Sequence, residues 1–198
     1  MKELQFKVTG VVPLLMHSNR AANPLDAYAN FMKPLQKKRN KTDQDYIEIS
    51  RVEWEAGLYL HDGIVALPAE TLDRCLWDAS KKTKSGKLYK SGALISEDWI
   101  PMDYRGPKIK IKQNGKIPLS ELDGFYNHFS HRQMVKVSGQ QVLRTRPIFH
   151  DWSFLFNIMI DEQVLDERTM ERIAETAGRY IGLGEKRPRL GRFEVELI

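Results

Sequence analysis

Alternating hydrophobicity in the stretch WSFLFNIMI constrains the fold of this chain more than any other feature. Its apolar side chains recur at every second position, so they share one face of an extended strand: Trp152, Phe154, Phe156, Ile158 and Ile160. Shorter alternating runs occur at residues 3–12 and in the FEVEL segment. We therefore predict that WSFLFNIMI is a central strand of a sheet and that the two shorter runs are also strands.

Two segments have the apolar spacing of amphipathic helices. In PAETLDRCLWDASKKTK, Pro68 suits the first helical position, and the residues at i, i+3, i+4 and i+7 are Leu72, Cys75, Leu76 and Ala79. The second segment is DERTMERIAETAGRYIG, whose inward-facing residues are predicted to be Met170, Ile173, Ala177 and either Tyr180 or Ile181. The order strand, helix, β insertion, strand, helix, strand predicts an α+β fold, a ferredoxin-like (RRM-like) split β-α-β sheet.

The 198 residues are predicted to form one domain, residues 1–198, with β-rich and loop insertions at about 16–60 and 84–150. In the first insertion, TDQDYIEISRVEWEAGLYL indicates a helix with Thr42 as N-cap. The preceding PLLMHSNRAANPLDAYANFMKPLQKKRNK predicts a long loop with a helical turn. In the second insertion, KIKIK before Asn114-Gly115, and QMVKV and QVLRT around Ser138-Gly139, predict hairpins.

Cysteine usage and hydropathy indicate the compartment. Cys75 is the single cysteine of the chain, so an internal disulfide is excluded. No apolar run has the length of a transmembrane helix, and MKELQFKVTG lacks the continuous apolar stretch of a signal peptide. We expect a cytoplasmic protein without a membrane partner.

The charge is basic and unevenly distributed, with a net charge of +5 and a pI near 9.2. Three basic clusters occur, namely Lys33, Lys37, Lys38, Arg39 and Lys41; Lys81, Lys82, Lys84, Lys87 and Lys90; and Arg105, Lys108, Lys110, Lys112 and Lys116. Each cluster alone is typical of a solvated surface. The repetition of such clusters on one small protein favours a polyanionic partner, because contacts between cations and phosphates release condensed counterions.

The segment IGLGEKRPRLGRFEVELI combines glycines with basic residues before the last strand. Glycines let the backbone approach phosphates, and the cations can form charge-assisted bonds with them. The candidate binding residues here are Gly182, Gly184, Lys186, Arg187, Arg189, Gly191 and Arg192. The alternative is a helix C-cap at Gly182 or Gly184 followed by an ordinary surface connection.

Two segments, GIVALPAETLDRCLWDA and GLGEKRPRLGRFEVE, resemble the RAMP superfamily. These ferredoxin-like proteins form the RNA-holding backbones and the RNA-processing subunits of CRISPR effector complexes. The family's loop commonly ends in Gly-Arg before a strand, as Gly191-Arg192 does, whereas Ala69-Glu70-Thr71 stands where the family often has Gly-Ser-Ser.

The resemblance implies a single-stranded nucleic-acid-binding protein, with RNA favoured over DNA. Its implied partners are CRISPR complex subunits and further copies of itself in a homo-oligomer, such as a filament or a ring. A stand-alone protein or a phage-encoded mimic of such a subunit, which interferes with antiviral defence, fits the same residues. A protein-interaction or nucleotide-sequestering module with basic loops facing an acidic partner is the remaining binding alternative.

Further candidate nucleic-acid-binding residues lie outside the terminal segment: Lys37, Lys38, Arg39, Lys81, Lys82, Lys84, Arg144 and Arg146. Arg144 and Arg146 have strand spacing and share a face, which extends the basic surface if it is solvated and forms ion pairs if it packs on a neighbour. Aromatic residues in or near basic loops are candidates for base stacking: Tyr89, Trp99, Tyr104 and Phe125.

Catalysis has only weak candidates in this sequence. Some RAMP members cut RNA with a histidine or with an aspartate in the loop after the first strand, where Asp26 and nearby His17 occur. An endoribonuclease using Asp26 or His17 is therefore the enzymatic alternative, although an aspartate there also suits a turn. The chain has no P-loop, no G-x-S-x-G and no zinc-binding pattern. We expect no cofactor, no metal and no catalysis.

Overall fold

A computed structural model describes residues 1–109, 128–137 and 139–198. The chain divides into two compact units. The first unit consists of residues 1–14, 60–110 and 149–198, and the second of residues 15–59 and 111–148. Both segments of the second unit fall largely within the predicted insertions. That the whole chain is one domain stays a prediction.

The described strands are, in chain order, β1 (Lys2–Gly10), β2 (Leu14–Leu15), β3 (Leu60–His61), β4 (Ile64–Pro68), β5 (Ala93–Ile95), β6 (Trp99–Pro101), β7 (Asp103–Tyr104), β8 (Ser130–Val137), β9 (Gln140–Phe149), β10 (Trp152–Ile160) and β11 (Phe193–Leu197). The described helices are α1 (Ala27–Lys37), α2 (Asp43–Gly57), α3 (Ala69–Lys82), α4 (Gly86–Gly92) and α5 (Glu167–Thr176), with a 3₁₀ turn at Asn19–Ala22 and a π-helical turn at Ala177–Ile181.

The main sheet of the first unit has the strand order β11-β1-β10-β5, and all of its neighbouring strands are antiparallel. Helix α3 lies in the chain between β1 and β5, and α5 lies between β10 and β11. Two β-α-β crossovers interleaved in this order are the ferredoxin-like arrangement. The predicted α+β, ferredoxin-like fold is confirmed.

The core of the first unit lies on one face of this sheet. All five alternating apolar residues of β10 are buried, as predicted from their period. Phe6 of β1 pairs with Phe156 of β10, and their rings stack 5.3 Å apart. Burying aromatic pairs of this kind stabilises a sheet by area and by ring contact, at about 0.5–1.5 kcal/mol for the ring contact alone.

Helices α3 and α5 cover the core, as their periodicity predicts. Leu72, Cys75, Leu76 and Ala79 of α3 are fully buried, as are Met170 and Ile173 of α5. Asp166 caps α5, because its Oδ1 accepts a hydrogen bond from the backbone N–H of Thr169 at 2.8 Å. After α5 the π-helical turn widens the helix and shifts its phase. Tyr180 consequently points outward, and only Ala177 of the later predicted positions is buried.

The second unit contains α1, α2 and a sheet of order β2-β9-β8. The predicted hairpin is confirmed, since β8 and β9 pair antiparallel from Ser130↔Pro147 to Val137↔Gln140. The capping box of α2 is also present, with Thr42 and Asp45 as reciprocal partners. Residues 110–112 of the predicted KIKIK hairpin and its Asn114-Gly115 turn lie outside the described residues.

Helix α1 lies where the sequence predicts a loop with a helical turn. Asp26 is its N-cap, and Pro34 lies inside it. Proline removes one backbone donor and usually breaks a helix, which is why the segment reads as irregular. Here Ala29 and Met32 are buried on the inner side of the helix, and this packing outweighs the local preference.

Candidate nucleic-acid interface

The terminal loop, residues 182–192, leaves the core and returns to it at nearly the same point. At its start, the Gly182 N–H donates to the Ala177 carbonyl at 2.8 Å. The Leu183 N–H donates to the Gly191 carbonyl at 2.8 Å, and the Leu183 side chain is fully buried. These bonds close the base of the loop and attach both of its ends to the rest of the first unit.

Gly191 completes this closure and requires the absence of a side chain. Its φ is +72°, and an added Cβ would lie 1.8 Å from the carbonyl oxygen of Leu183. Its N–H donates to the Pro13 carbonyl at 2.8 Å, and the Arg192 carbonyl accepts from the Val11 N–H at 3.0 Å. The segment after β1 therefore fixes the backbone from which the basic side chains emerge.

The cations of the terminal loop are exposed, whereas two of its glycines are buried. Gly182 and Gly191 are buried, and Gly184 is half-buried. The exposed cations are Lys186, Arg187, Arg189 and Arg192. In the described part of the chain, Arg189 and Arg192 have no ion pair or side-chain hydrogen bond. Gly182 caps the turn while the arginines face solvent, so the helix-cap and basic-loop interpretations are compatible. That these residues bind phosphate stays a prediction.

Tyr180 is a residue that the sequence analysis missed as a surface candidate. It directly precedes the terminal loop, and its side chain is 56% exposed. Arg179 beside it is also exposed. Only the phase shift at the π-helical turn distinguishes it from a core residue, so helical periodicity alone could not find it. The surface at this end of the fold thus combines an aromatic ring with several cations.

The second group of predicted residues lies at the carboxyl end of α3. Lys81, Lys82 and Lys84 are all exposed. Lys81 forms an ion pair with Asp78 at 2.5 Å, and its ammonium lies 4.0 Å from the ring centroid of Trp77. The Arg74 guanidinium lies 4.7 Å from the same centroid. Arg74 precedes Trp77 by three residues and Lys81 follows it by four, so all three lie on one face of the helix. This spacing is the sequence signal that could have identified the cation–π contacts of Trp77.

The predicted residues Lys37, Lys38 and Arg39 are exposed; Lys37 is the last residue of α1, and the other two follow it. Lys38 is committed to an ion pair, since its Nζ lies 2.6 Å from Oδ2 of Asp45. This ammonium, together with the backbone and hydroxyl of Thr42, lowers the pKa of Asp45 from its ordinary value of 3.8 to about 2. Lys38 therefore stabilises the start of α2 as well as contributing surface charge.

Arg144 and Arg146 of β9 are half-buried and lie on the same side of the strand, as their spacing predicts. Arg144 forms an ion pair with Glu53 of α2, a carboxylate that is only 5% exposed. The other carboxylate oxygen of Glu53 accepts a hydrogen bond from the Thr145 N–H at 2.9 Å. The sequence left open whether Arg144 extends a solvated basic surface or forms an ion pair with a neighbouring element. The structure shows the ion pair.

Two of the candidate stacking residues are core residues. Tyr89 and Tyr104 are buried, and the Tyr89 hydroxyl donates to Asp73 at 2.7 Å. Trp99 is half-buried and stacks on His61 with ring centroids 5.0 Å apart. Phe125 lies outside the described residues, as do Lys110, Lys112 and Lys116 of the third basic cluster.

The open face of the main sheet has no stacking platform. Its outward residues are Glu3, Gln5, Lys7 and Thr9 of β1; Ser153, Leu155, Asn157 and Met159 of β10; and Glu194 and Glu196 of β11. These strands, all within the described residues, present no aromatic ring on that face, whereas RRM-type sheets bind bases through such rings. The basic edge loops fit a polyanion better than this mixed-charge face does.

Asp26 and His17, the weak catalytic candidates, lie in the second unit. Asp26 accepts the Tyr28 N–H at 2.9 Å as the N-cap of α1, and its second oxygen pairs with Arg20 at 3.2 Å. Both carboxylate oxygens thus have structural partners. The His17 carbonyl accepts the Tyr59 hydroxyl at 3.0 Å, and its side chain is exposed. These contacts account for Asp26 as a helix cap.

Within residues 1–109, 128–137 and 139–198, no three His, Cys, Asp or Glu side chains are arranged to hold a metal ion. Across the same residues, no helix is both long enough and apolar enough to cross a membrane.

Comparison with solved structures shows a weak likeness. No family model matches the chain, and no curated protein matches it. The chain is similar to a crystal structure of Cmr4, with 10% sequence identity, a TM-score of 0.41, and coverage of 99% of this chain and 98% of that chain. At this level the likeness carries no functional argument, and the ferredoxin-like fold is established by the strand order itself.

Proposed function

We propose that this protein binds single-stranded nucleic acid, most readily RNA, without cutting it. The observation that carries the proposal is the terminal loop, whose backbone is closed by buried glycines while Lys186, Arg187, Arg189 and Arg192 are exposed. A backbone that is already fixed loses little further conformational entropy when its side chains bind phosphates. Guanidinium groups also offer paired donors for phosphate oxygens.

The exposed ring of Tyr180 supports single strands over duplexes. Unpaired bases can stack on an aromatic ring, whereas the bases of a duplex are already stacked on one another. Stacking contributes about 1–3 kcal/mol per base in proteins that bind single strands. An aromatic ring next to a group of cations is the combination that such proteins use.

In the cell, we propose, the protein is a RAMP-type subunit of a CRISPR effector complex or a phage-encoded mimic of such a subunit. Further copies of the same chain, or other subunits of such a complex, would then be its protein partners. The RAMP-like segments in α3 and the terminal loop support this form of the proposal. The N-cap role of Asp26 supports a binding function over an endoribonuclease.

The test is fluorescence anisotropy with labelled single-stranded RNA, single-stranded DNA and duplex, across a salt series. We expect the single strands to bind more tightly than the duplex. The double variant Arg189→Glu/Arg192→Glu should weaken binding about tenfold or more, because each charge-assisted contact contributes roughly 1.5–3 kcal/mol. The slope of log affinity against log salt should fall by about 0.7 for each lost phosphate contact.

The matched control is Arg168→Glu/Arg172→Glu, which makes the same charge change on exposed positions of α5. It should reduce affinity much less. Circular dichroism and thermal melting of both variants establish that they are folded. Absence of binding at low salt, or equal losses in the two folded variants, would contradict the proposed interface.

A further inference from the structure

An open concavity lies where α3 ends and α4 begins, in the first unit. Its volume is about 660 Å³. Small-molecule sites commonly have volumes of roughly 300–1,000 Å³. The side chains that line it are Trp77, Lys81, Lys84, Lys87, Leu88 and Lys90. None of these is acidic. We refer to it as the lysine concavity.

The backbone at this site holds Lys84 in a conformation that usually belongs to glycine. Its φ is +60°. The Lys84 N–H donates to the Lys81 carbonyl at 3.2 Å, and the Ser85 N–H donates to the Ser80 carbonyl at 2.8 Å. These are the two bonds of a Schellman motif, in which glycine normally occupies the left-handed position. A lysine here is strained, so helix termination does not explain the choice of residue.

Of the four lysines that line the concavity, only one is paired with a carboxylate in the part of the chain that the structure describes. Lys81 is paired with Asp78 at 2.5 Å. In the described part of the chain, Lys84, Lys87 and Lys90 form no ion pair. Their ammonium groups raise one another's electrostatic energy unless an anion binds among them. The arrangement therefore favours a ligand with several negative charges.

The walls of the concavity strengthen this preference. The Trp77 ring and the half-exposed Leu88 side chain provide apolar surface beside the ammonium groups. Apolar walls with charge of one sign focus the field into a cleft. A phosphodiester chain carries one charge per phosphate and spreads its charge along the strand, whereas an oligophosphate concentrates several charges in a small volume. The convergence of lysines on one concavity matches the oligophosphate.

We propose that the lysine concavity binds the oligophosphate group of a nucleotide, either a free nucleoside triphosphate or the 5′-triphosphate end of an RNA. This rests on the proposed function only in that both proposals give the protein a phosphate-bearing ligand, and the residues of the two sites are different. Lysine suits this ligand, since it acts as a point charge on a flexible stem and adapts to several phosphate positions.

The experiment is isothermal titration calorimetry with inorganic tripolyphosphate, with ATP, and with RNA oligonucleotides that carry a 5′-triphosphate or a 5′-hydroxyl. We expect the wild type to bind tripolyphosphate. The double variant Lys84→Gln/Lys87→Gln should bind it about tenfold more weakly per lost contact. The control Lys7→Gln/Lys136→Gln removes the same charge from exposed positions of β1 and β8 and should bind nearly as the wild type does.

A single variant, Lys84→Gly, separates binding from structure. Glycine relieves the strain at φ +60°, so the melting temperature should rise, while the affinity for tripolyphosphate should fall. If Lys84 had a structural role alone, stability would change and affinity would not. That result would overturn the proposal.

The titrations with ATP and with the two RNA oligonucleotides distinguish a free nucleotide from an RNA end as the natural ligand. Tighter binding of 5′-triphosphate RNA than of both 5′-hydroxyl RNA and ATP assigns the site to an RNA end, and equal binding of ATP assigns it to a free nucleotide. Failure of the wild type to bind tripolyphosphate, an equal loss in the Lys7/Lys136 control, or tighter binding of polyglutamate would each refute it. The Arg189→Glu/Arg192→Glu variant should still bind tripolyphosphate, so this proposal and the proposed function can fail separately.

Discussion

At the scale of single residues, Gly191 decides the backbone path of the terminal loop. It combines a positive φ with a position at which an added Cβ would lie 1.8 Å from the carbonyl oxygen of Leu183. Any Cβ there would be both strained and obstructed by a carbonyl oxygen that cannot rotate away. The exposed arginines on either side of Leu190 depend on this one closure for their positions.

We expect Gly191→Ala to destabilise the protein by roughly 3 kcal/mol or more, because left-handed strain is joined by a clash with backbone atoms. Gly139→Ala is the matched control, since Gly139 has φ +85° but no atom within 4 Å of the added Cβ. That variant should lose only about 1–2 kcal/mol. Urea unfolding of both variants measures the difference, and equal losses would show that the closure at Gly191 contributes nothing beyond strain.

At the scale of secondary-structure elements, α2 is stabilised at its start by charge as well as by its cap. Asp45 accepts the Thr42 N–H at 2.7 Å and the Lys38 ammonium at 2.6 Å. Both donors favour the ionised carboxylate, which is why its folded pKa lies near 2. A lowered folded pKa means that the stabilisation is present above the unfolded pKa and is lost as pH falls.

We expect Asp45→Asn to be less stable than the wild type at pH 6, with the difference shrinking between about pH 4 and about pH 2, as the wild-type carboxylate becomes protonated. Asp43→Asn is the control, because Asp43 lies in the same first turn but is exposed outside the capping box. Thermal melts of the three proteins at several pH values measure the effect. A constant Asp45→Asn difference down to pH 2 would contradict the role of the charged pair.

At the scale of the whole molecule, the chain forms two compact units that differ in how they are stabilised. The first unit buries alternating aromatic and aliphatic residues of β1 and β10 beneath α3 and α5. The second unit buries a charged carboxylate, Glu53, which depends on Arg144 and the Thr145 N–H. Removal of one partner from a buried pair leaves an uncompensated charge.

We expect Arg144→Met to destabilise the second unit by about 3–5 kcal/mol, since Glu53 would remain buried without its cation. Hydrogen exchange should then increase in residues 15–59 and 139–148 and stay unchanged in the first unit. Lys136→Met, at an exposed position opposite Gln141 on β8, is the control. An equal increase in both units would show that the chain unfolds as the single cooperative domain that the sequence predicts.

Hydrophobic periodicity in the sequence was enough to predict the elements that bury one face. The alternation in β10, the apolar stripe of α3 and the Thr42 cap of α2 are local signals, because strand and helix geometry relate spacing directly to a face. The order of these elements was enough to predict the ferredoxin-like sheet. The terminal loop was identifiable from its glycines and cations for the same local reason.

Tertiary structure alone decided the features that depend on contacts between distant segments. Helix α1 forms around Pro34 because packing outweighs propensity, and Tyr180 faces outward because a π-helical turn shifts the phase. Arg144 is paired because α2 brings Glu53 beside β9, although Glu53 lies more than ninety positions before Arg144 in the chain. The lysine concavity exists because α3 and α4 meet at a left-handed Lys84. Residue spacing within one element carries no information about which remote side chain or backbone turn will complete such a site.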